Sequence, residues 1–205
     1  VLYPLIISKL EDLKPVITSL SRGEVRSGFA HLEPYTDLLT APVNSRAKKA
    51  GDTYIIDGEK ALIIAPEGTG FYLVSALFEE KPALFLVEKE SEGLEIGVPL
   101  ATIGARGAGI RNLQLKNCRA KLCVAKGDSA RQLIKEAVLH YFLALSALSA
   151  GLIRVCLSAA TAYARERKQF EQKIINFPMV QNHLITMGEN LEITRLLYYQ
   201  ASAFM

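Results

Sequence analysis

The sequence predicts an α+β fold, in which an antiparallel β-barrel or β-sandwich is followed by a long helical hairpin. Short apolar runs separated by Gly, Pro and acidic residues fill the middle of the chain, with no helical pattern between them. Two long stretches with helical periodicity follow. We therefore divide the chain at residues 1–23, 24–126 and 127–205 into a helical segment, a β-domain and a helical domain.

The first segment carries apolar residues at helical spacing, which predicts one or two short helices over residues 1–22. In the β-domain, residues 54–56 and 61–64 flank Asp57 and Gly58. An Asp-Gly pair favours the positive φ angles of a tight turn, so we expect a β-hairpin here. Further strands are predicted at residues 71–78, 83–87, 94–98 and 113–115.

The helical domain begins where Asp128 or Ser129 can cap a helix. This helix is predicted to continue towards Arg167, a length of roughly 60 Å at about 1.5 Å per residue. A second helix is predicted to begin near Pro178, because proline is tolerated in the first turn. Two long helices alone cannot bury both of their apolar faces, so we expect another surface to cover them.

The first of these helices contains an uncharged run at residues 137–153. Its 17 residues are slightly short for a membrane span, and serine, histidine and glycine dilute its hydrophobicity. We therefore expect a helix buried inside a bundle, and no membrane span.

Composition excludes a nucleic-acid partner and a disulfide scaffold. The formal net charge is only +3 over 205 residues, half of which are hydrophobic, and no basic stripe with interleaved aromatic residues is present. The three cysteines show neither zinc spacing nor a disulfide framework, so no metal site is predicted. Free cysteines favour a reducing compartment, and we expect a cytoplasmic protein.

Several motifs occur in a fixed order along the chain. Residues 29–34 read FAHLEP, residues 51–60 read GDTYIIDGEK, and residues 103–106 read IGAR, followed by LQLKN at 113–117. Arg167, Gln169 and Phe170 then form an R-x-Q-F element. Together these segments resemble the acyl-CoA dehydrogenase family. The resemblance covers nearly the whole chain and implies a divergent, truncated member, in which residues 1–23 are the remnant of an N-terminal helical domain and the helical hairpin belongs to the C-terminal bundle.

The resemblance implies flavin-dependent α,β-oxidation of acyl-CoA thioesters. In the family, the R-x-Q-F element contacts the ADP half of an FAD held by the neighbouring subunit. This implies FAD-binding roles for Arg167, Gln169 and Phe170. The same residues could also be an ordinary helix end, where the helix dipole favours a cation. Glu171 stands where the family usually has Gly, and its negative charge opposes binding of a diphosphate.

Other family positions are altered. Leu32 replaces a threonine that bonds the flavin ring, and Leu62 and Ile64 replace the tryptophan and the hydroxyl residue of a W-I-T element. Each unpaired polar edge of the ring would cost about 1–3 kcal/mol, unless backbone groups replace these bonds. Phe142 aligns with an arginine that helps to hold the CoA thioester. No glutamate matches the family's base, which proton abstraction next to the thioester requires, so no catalytic residue is assigned.

The remaining candidates have structural interpretations. His31 lies on an apolar strand and is expected to be a buried structural residue, while His140 and His183 are expected in a core or an interface. Arg106 lies in a glycine-rich loop that resembles an anion site. No helix start follows that loop, so a tight connection is the simpler interpretation.

Three functions therefore remain open. The chain is an acyl-CoA dehydrogenase with weak or no activity alone, a non-catalytic subunit that completes the FAD site of a catalytic partner, or a degenerate interaction module. The expected partners are a second copy or a related catalytic subunit, bound through the C-terminal helices, and possible acyl-CoA substrates. The cofactor implied by the resemblance is FAD.

Overall fold

A computed structural model of the chain describes residues 11–38 and 43–204. These residues form two compact units that divide at residue 138, and each unit is described by itself. The first unit contains a mostly antiparallel sheet, and the second contains two long helical segments joined by a short hairpin. This is the predicted α+β architecture, although the unit division lies inside the long helix and the predicted domain limits stay predictions.

The sheet of the first unit has eight strands within the described residues. Their bounds are β1 (Arg26–Ala30), β2 (Arg46–Ala50), β3 (Thr53–Ile63), β4 (Thr69–Phe78), β5 (Lys81–Glu88), β6 (Leu94–Ile96), β7 (Arg111–Ala120) and β8 (Leu122–Lys126). The spatial order is β6-β7-β3-β2-β4-β5-β8, and β1 also pairs with β4. Strands β1 and β2 run parallel to β4, whereas all other pairs in this sheet are antiparallel.

Strands β4 and β5 form the centre of the unit because both of their faces are covered. On one face, apolar side chains from most strands meet around Tyr72, Phe85 and Leu113. On the other face, Leu73 and Leu84 pack against helix α1 (Lys14–Ser21) and the first turns of helix α2 (Asp128–Glu166). The predicted N-terminal helix is therefore present as α1, whereas residues 1–10 lie outside the described residues.

The predicted β-hairpin around Asp57 and Gly58 is wrong. These residues lie inside β3, and the tight turn is instead at Gly51 and Asp52, between β2 and β3. Gly58 is required for a different reason: a Cβ atom at this position would lie 2.3 Å from Ser45 Oγ. The glycine therefore permits a close approach of two chain segments, and the local dipeptide pattern could not distinguish this from a turn.

The second unit contains the rest of α2 and helix α3 (Pro178–Ala203). Both helices begin where the sequence predicts. They run antiparallel, since Leu139 and Ala201 line one end of a shared groove while Ala150 and Leu191 line a second groove further along. Between the helices, β9 (Lys168–Gln169) pairs with β10 (Gln172–Lys173), and a short 3-10 turn follows at Ile174–Asn176.

The apolar face of α2 is largely exposed. Only 6 % of its most apolar 18-residue window is buried, so the expected burial inside a bundle is not provided by the described part of the chain. By length and composition alone, α2 is the one described helix that could cross a membrane. A single helix of this kind is weak evidence for a span, because core helices of soluble proteins have the same composition.

Candidate functional site

The three residues that replace the family's flavin-ring contacts lie together at one edge of the first unit. The backbone N–H of Ala61 donates to the carbonyl oxygen of Leu32 over 2.8 Å, which joins Leu32 to the end of β3. Leu62 lies in a bulge of β3 with a φ of +56°, and it is 56 % exposed. Ile64 follows the strand and is 43 % exposed. We call Leu32, Leu62 and Ile64 the aliphatic edge.

Two backbone groups at this edge form hydrogen bonds within the chain. The N–H of Leu62 donates to Asn112 Oδ1 over 3.0 Å, and the carbonyl oxygen of Leu32 accepts from Ala61. The N–H of Leu62 is therefore not free to replace a hydrogen bond that the family's threonine or hydroxyl residue provides, whereas the carbonyl oxygen of Leu32 keeps a second lone pair. The side chains themselves are aliphatic, so the residues of this edge do not fit the polar rim of a flavin ring.

A buried polar cluster lies next to the aliphatic edge, and we define it as His31, Glu33, Ser45, Lys60 and Ser75. The Lys60 ammonium is fully buried and lies 2.7 Å from Glu33 Oε1, while Glu33 is 5 % exposed. His31 Nδ1 shares a hydrogen bond of 2.9 Å with Ser75 Oγ, and Lys60 Nζ lies 3.3 Å from the same hydroxyl oxygen. The expectation that His31 is buried is confirmed.

Burial and charge determine the protonation states in this cluster. Burial, followed by repulsion from Lys60, lowers the pKa of His31 from 6.5 to about 4, so the imidazole is neutral at pH 7. Burial alone would raise the pKa of Glu33, but the Lys60 charge and several hydrogen bonds outweigh burial and bring it to about 2. Burial lowers the pKa of Lys60, and Glu33 opposes this. At neutral pH the cluster therefore holds one internal ion pair and one neutral histidine.

Sequence reasoning missed the ion pair of this cluster. Glu33 belongs to the LEP triplet and Lys60 ends the GDTYIIDGEK motif, so both lie in segments that carried the resemblance. A lysine at this position on a strand is usually assigned to the solvent face. The available signal was strand alternation, since Lys60 shares the alternating positions of Ile56 and Gly58, whereas Asp57 and Glu59 occupy the opposite, exposed positions.

The R-x-Q-F element lies on the hairpin of the second unit. Arg167 follows the last residue of α2, Gln169 pairs with Gln172, and all three site residues are exposed. Phe170 and Glu171 form the turn with φ angles of +50° and +66°, which glycine adopts without strain and other residues rarely do. The Phe170 ring is 88 % exposed and packs edge-on against Phe177 at a centroid distance of 6.4 Å. The structure thus places the three residues together on one exposed turn.

An apolar groove runs between α2 and α3 within the second unit. Its volume is about 520 Å³, and its lining includes Leu139, Phe142, Leu143, Leu197 and Phe204. Phe142 is therefore part of an apolar wall, where it cannot supply the positive charge of the arginine with which it aligns. The volume lies within the range of roughly 300–1,000 Å³ that is common for small-molecule sites.

Two other candidates have ordinary environments. Arg106 is exposed in a one-turn 3-10 helix, and its Nε donates to the carbonyl oxygen of Thr102 over 3.4 Å. This supports the interpretation as a tight connection. His183 is exposed on α3. Within residues 11–38 and 43–204, no group of three His, Cys, Asp or Glu side chains is placed to hold a metal ion.

Comparison with known proteins gives consistent matches. Residues 130–205 match the family described as acyl-CoA dehydrogenase, C-terminal domain. The chain is 28% identical to the probable acyl-CoA dehydrogenase FadE25 of Mycobacterium tuberculosis, over 97% of this chain and 53% of the relative. It is 30% identical to the 3-(aryl)acrylate reductase of Clostridium sporogenes, over 95% of this chain and 52% of that protein.

The fold comparison agrees. A glutaryl-coenzyme A dehydrogenase in complex with glutaryl-CoA is 27% identical to this chain, with a TM-score of 0.89 over 98% of this chain and 53% of that structure. The butyryl-CoA dehydrogenase of Megasphaera elsdenii shares the fold with a TM-score of 0.89 at 19% identity, over 97% of this chain and 54% of that structure. The chain spans about half the length of the curated relatives it matches. These matches, together with the α+β architecture, show that the chain is similar to acyl-CoA dehydrogenases and that residues 130–205 match the C-terminal domain of that family.

Proposed function

We propose that this chain is an acyl-CoA dehydrogenase-related protein that is weak or inactive when alone. The family activity is the flavin-dependent α,β-oxidation of acyl-CoA thioesters. The aliphatic edge supports the proposal of weak activity, because Leu32, Leu62 and Ile64 offer no side-chain hydrogen bond. The carbonyl oxygen of Leu32 and the N–H of Leu62 already form hydrogen bonds within the chain.

Flavin content and turnover test this proposal. The purified chain should show little absorbance from FAD in the visible range, and no acyl-CoA oxidation with an artificial electron acceptor. A stoichiometric yellow protein, or measurable turnover on straight-chain acyl-CoA substrates, would overturn it. The triple variant Leu32→Thr, Leu62→Trp and Ile64→Thr restores family residue types and should increase FAD retention, whereas Val98→Thr on another exposed loop should not.

The groove between α2 and α3 supports acyl-chain binding as part of this function. Its lining is aliphatic and aromatic, which suits a hydrocarbon chain better than a charged group. Palmitoyl-CoA binding can be measured by titration calorimetry. Thr194→Phe fills the groove and should weaken binding at least tenfold, whereas Thr186→Phe, on an exposed position of the same helix, should leave it unchanged. Equal affinities for both variants would remove the groove from the proposal.

A second candidate function is a non-catalytic subunit that completes the FAD site of a catalytic partner. The exposure of Arg167, Gln169 and Phe170 on one turn favours it, because these side chains are available to a neighbouring molecule. A full-length catalytic relative, purified in complex with this chain, provides the test. Arg167→Ala should lower FAD retention by the partner, and Arg165→Ala near the same helix end is the control. Unchanged retention would leave the degenerate interaction module as the alternative.

Self-association is part of both proposals. Apolar side chains on α2 and α3, such as Leu148, Leu152 and Leu196, are about two-thirds exposed. Contiguous apolar surfaces of this kind are rare on monomers, and a two-fold dimer can cover the same patch on both copies. Light scattering at micromolar concentration should therefore show a dimer rather than a monomer. We also propose a cytoplasmic location, since the described cysteines are free.

A further inference from the structure

Strands β1 and β2 lie end to end along the same edge of β4. Strand β1 pairs with β4 as far as Ala30 and Val74, and β2 resumes this pairing from Arg46 and Leu77. The described residues between these two strands, 31–38 and 43–45, lie outside both of them, and we call these two segments the excursion. Strand β3 flanks the same gap on the other side, because it pairs with β2 and its residue Ala61 donates to Leu32.

The Glu33 carboxylate joins the two ends of this excursion. Its Oε2 accepts a hydrogen bond of 2.7 Å from the N–H of Asn44. Its Oε1 accepts bonds of 2.9 Å from the N–H and 2.6 Å from the hydroxyl of Ser45. One side chain at the start of the excursion therefore determines where the chain returns to the sheet.

Lys60, which lies on β3, binds the first segment of the excursion through Glu33 and His31. Its ammonium donates to Glu33 Oε1 over 2.7 Å, and it lies 3.5 Å from the carbonyl oxygen of His31. The next residue on β3, Ala61, holds the carbonyl oxygen of Leu32. Glu33 is therefore the neighbour of Leu32 in one segment, and Lys60 lies two residues before Leu62 on β3.

We propose that Glu33 and Lys60 are positioning residues for the aliphatic edge, which they create by holding residues 31–38 and 43–45 against β3. This assignment rests on the proposed function in one respect, namely that the aliphatic edge is the surface that would face a flavin ring. A carboxylate that accepts four hydrogen bonds in a buried site has one strongly preferred position. If either charged partner is removed, the other must be hydrated, and the excursion has to open locally.

The competing interpretation is that the ion pair contributes only to the overall stability of the first unit. The two interpretations differ in which backbone amides lose protection. If the ion pair acts locally, it protects the amides of Asn44, Ser45 and Ala61, which donate hydrogen bonds to Glu33 or to the carbonyl oxygen of Leu32. A contribution to global stability alone protects every amide of the sheet to the same extent.

Native-state amide exchange of the full 205-residue chain separates these possibilities. In Lys60→Met and Glu33→Gln, the amides of Asn44, Ser45 and Ala61 should exchange at least about tenfold faster, while the β4–β5 ladder keeps its wild-type protection. Lys116→Met removes an exposed ion pair with Glu95 on β6 and β7 and should change none of these amides.

The outcomes are decisive in each direction. Uniform acceleration across the sheet, or no acceleration at the three amides, would overturn the proposal. If a single variant does not fold, the double variant Glu33→Gln with Lys60→Met removes both charges and should fold. Its Ala61 amide should still exchange faster than in the wild type while the β4–β5 ladder keeps its protection, and wild-type protection of Ala61 would equally overturn the proposal. The exchange experiment needs no flavin, so it succeeds or fails independently of the FAD measurement.

Discussion

His31 should make the first unit acid-labile in a defined pH window. Its folded-state pKa is about 4, whereas an unfolded chain binds the proton near 6.5. Between these values the unfolded state binds more protons, so the free energy of unfolding falls as the pH falls from 6.5 to 4. At about 1.36 kcal/mol per pKa unit, the full difference is about 3 kcal/mol. Glu33 has its own window between its ordinary value of 4.5 and about 2, so its loss of stability occurs mainly at lower pH.

Urea unfolding at pH 7, 6, 5 and 4, followed by circular dichroism and tyrosine fluorescence, measures this dependence. In His31→Asn the amide can still bond to Ser75, but no group titrates, so most of the slope between pH 6.5 and 4 should disappear. Thr186→Asn changes an exposed side chain that does not titrate and should keep the wild-type slope. A wild-type stability that stays flat from pH 7 to 4, or an unchanged slope in His31→Asn, would refute the reasoning.

Three further variants test single features of the fold. Glu171→Gly should stabilise the hairpin by about 1 kcal/mol, because glycine adopts a φ of +66° without strain, and Glu171→Gln should not, since it removes only the charge. Gly58→Ala should destabilise the first unit by about 1–3 kcal/mol, because the new Cβ would lie 2.3 Å from a serine hydroxyl oxygen. Gly104→Ala meets open space and should not have this effect. Urea unfolding of both variants measures the difference. Leu191→Ala should lower helical stability by about 2–3 kcal/mol and Ile193→Ala by much less, as measured by thermal melting of the helical signal, since only the first side chain is buried.

Local rules were sufficient for the helices. Apolar periodicity and a capping residue at Asp128 predict where α2 begins, and Pro178 in the first turn marks the start of α3. These signals act within one or two turns of the chain, so no tertiary contact is needed to interpret them. Several strands were also predicted, because their apolar alternation is local. Strand β2, whose sequence RAKKA is polar, was missed because its pairing partners rather than its composition make it a strand.

The order of the motifs indicated the resemblance to acyl-CoA dehydrogenases, and the replacements at Leu32, Leu62 and Ile64 indicated an edge without side-chain hydroxyl groups. Only the tertiary structure decided that the carbonyl oxygen of Leu32 and the N–H of Leu62 form hydrogen bonds, because their partners Ala61 and Asn112 are distant in the sequence.

The sequence by itself determined the class of fold, the long helices and the family resemblance, because each depends on patterns that short segments carry. The tertiary structure alone decided that Asp57 and Gly58 continue a strand, and that Glu33 and Lys60 meet in the interior. An Asp-Gly pair has the same local preference in a turn and in a strand that needs a close approach. A lysine and a glutamate 27 residues apart become a buried pair only when the sheet brings them together, since burial of either charge alone is prohibitively unfavourable.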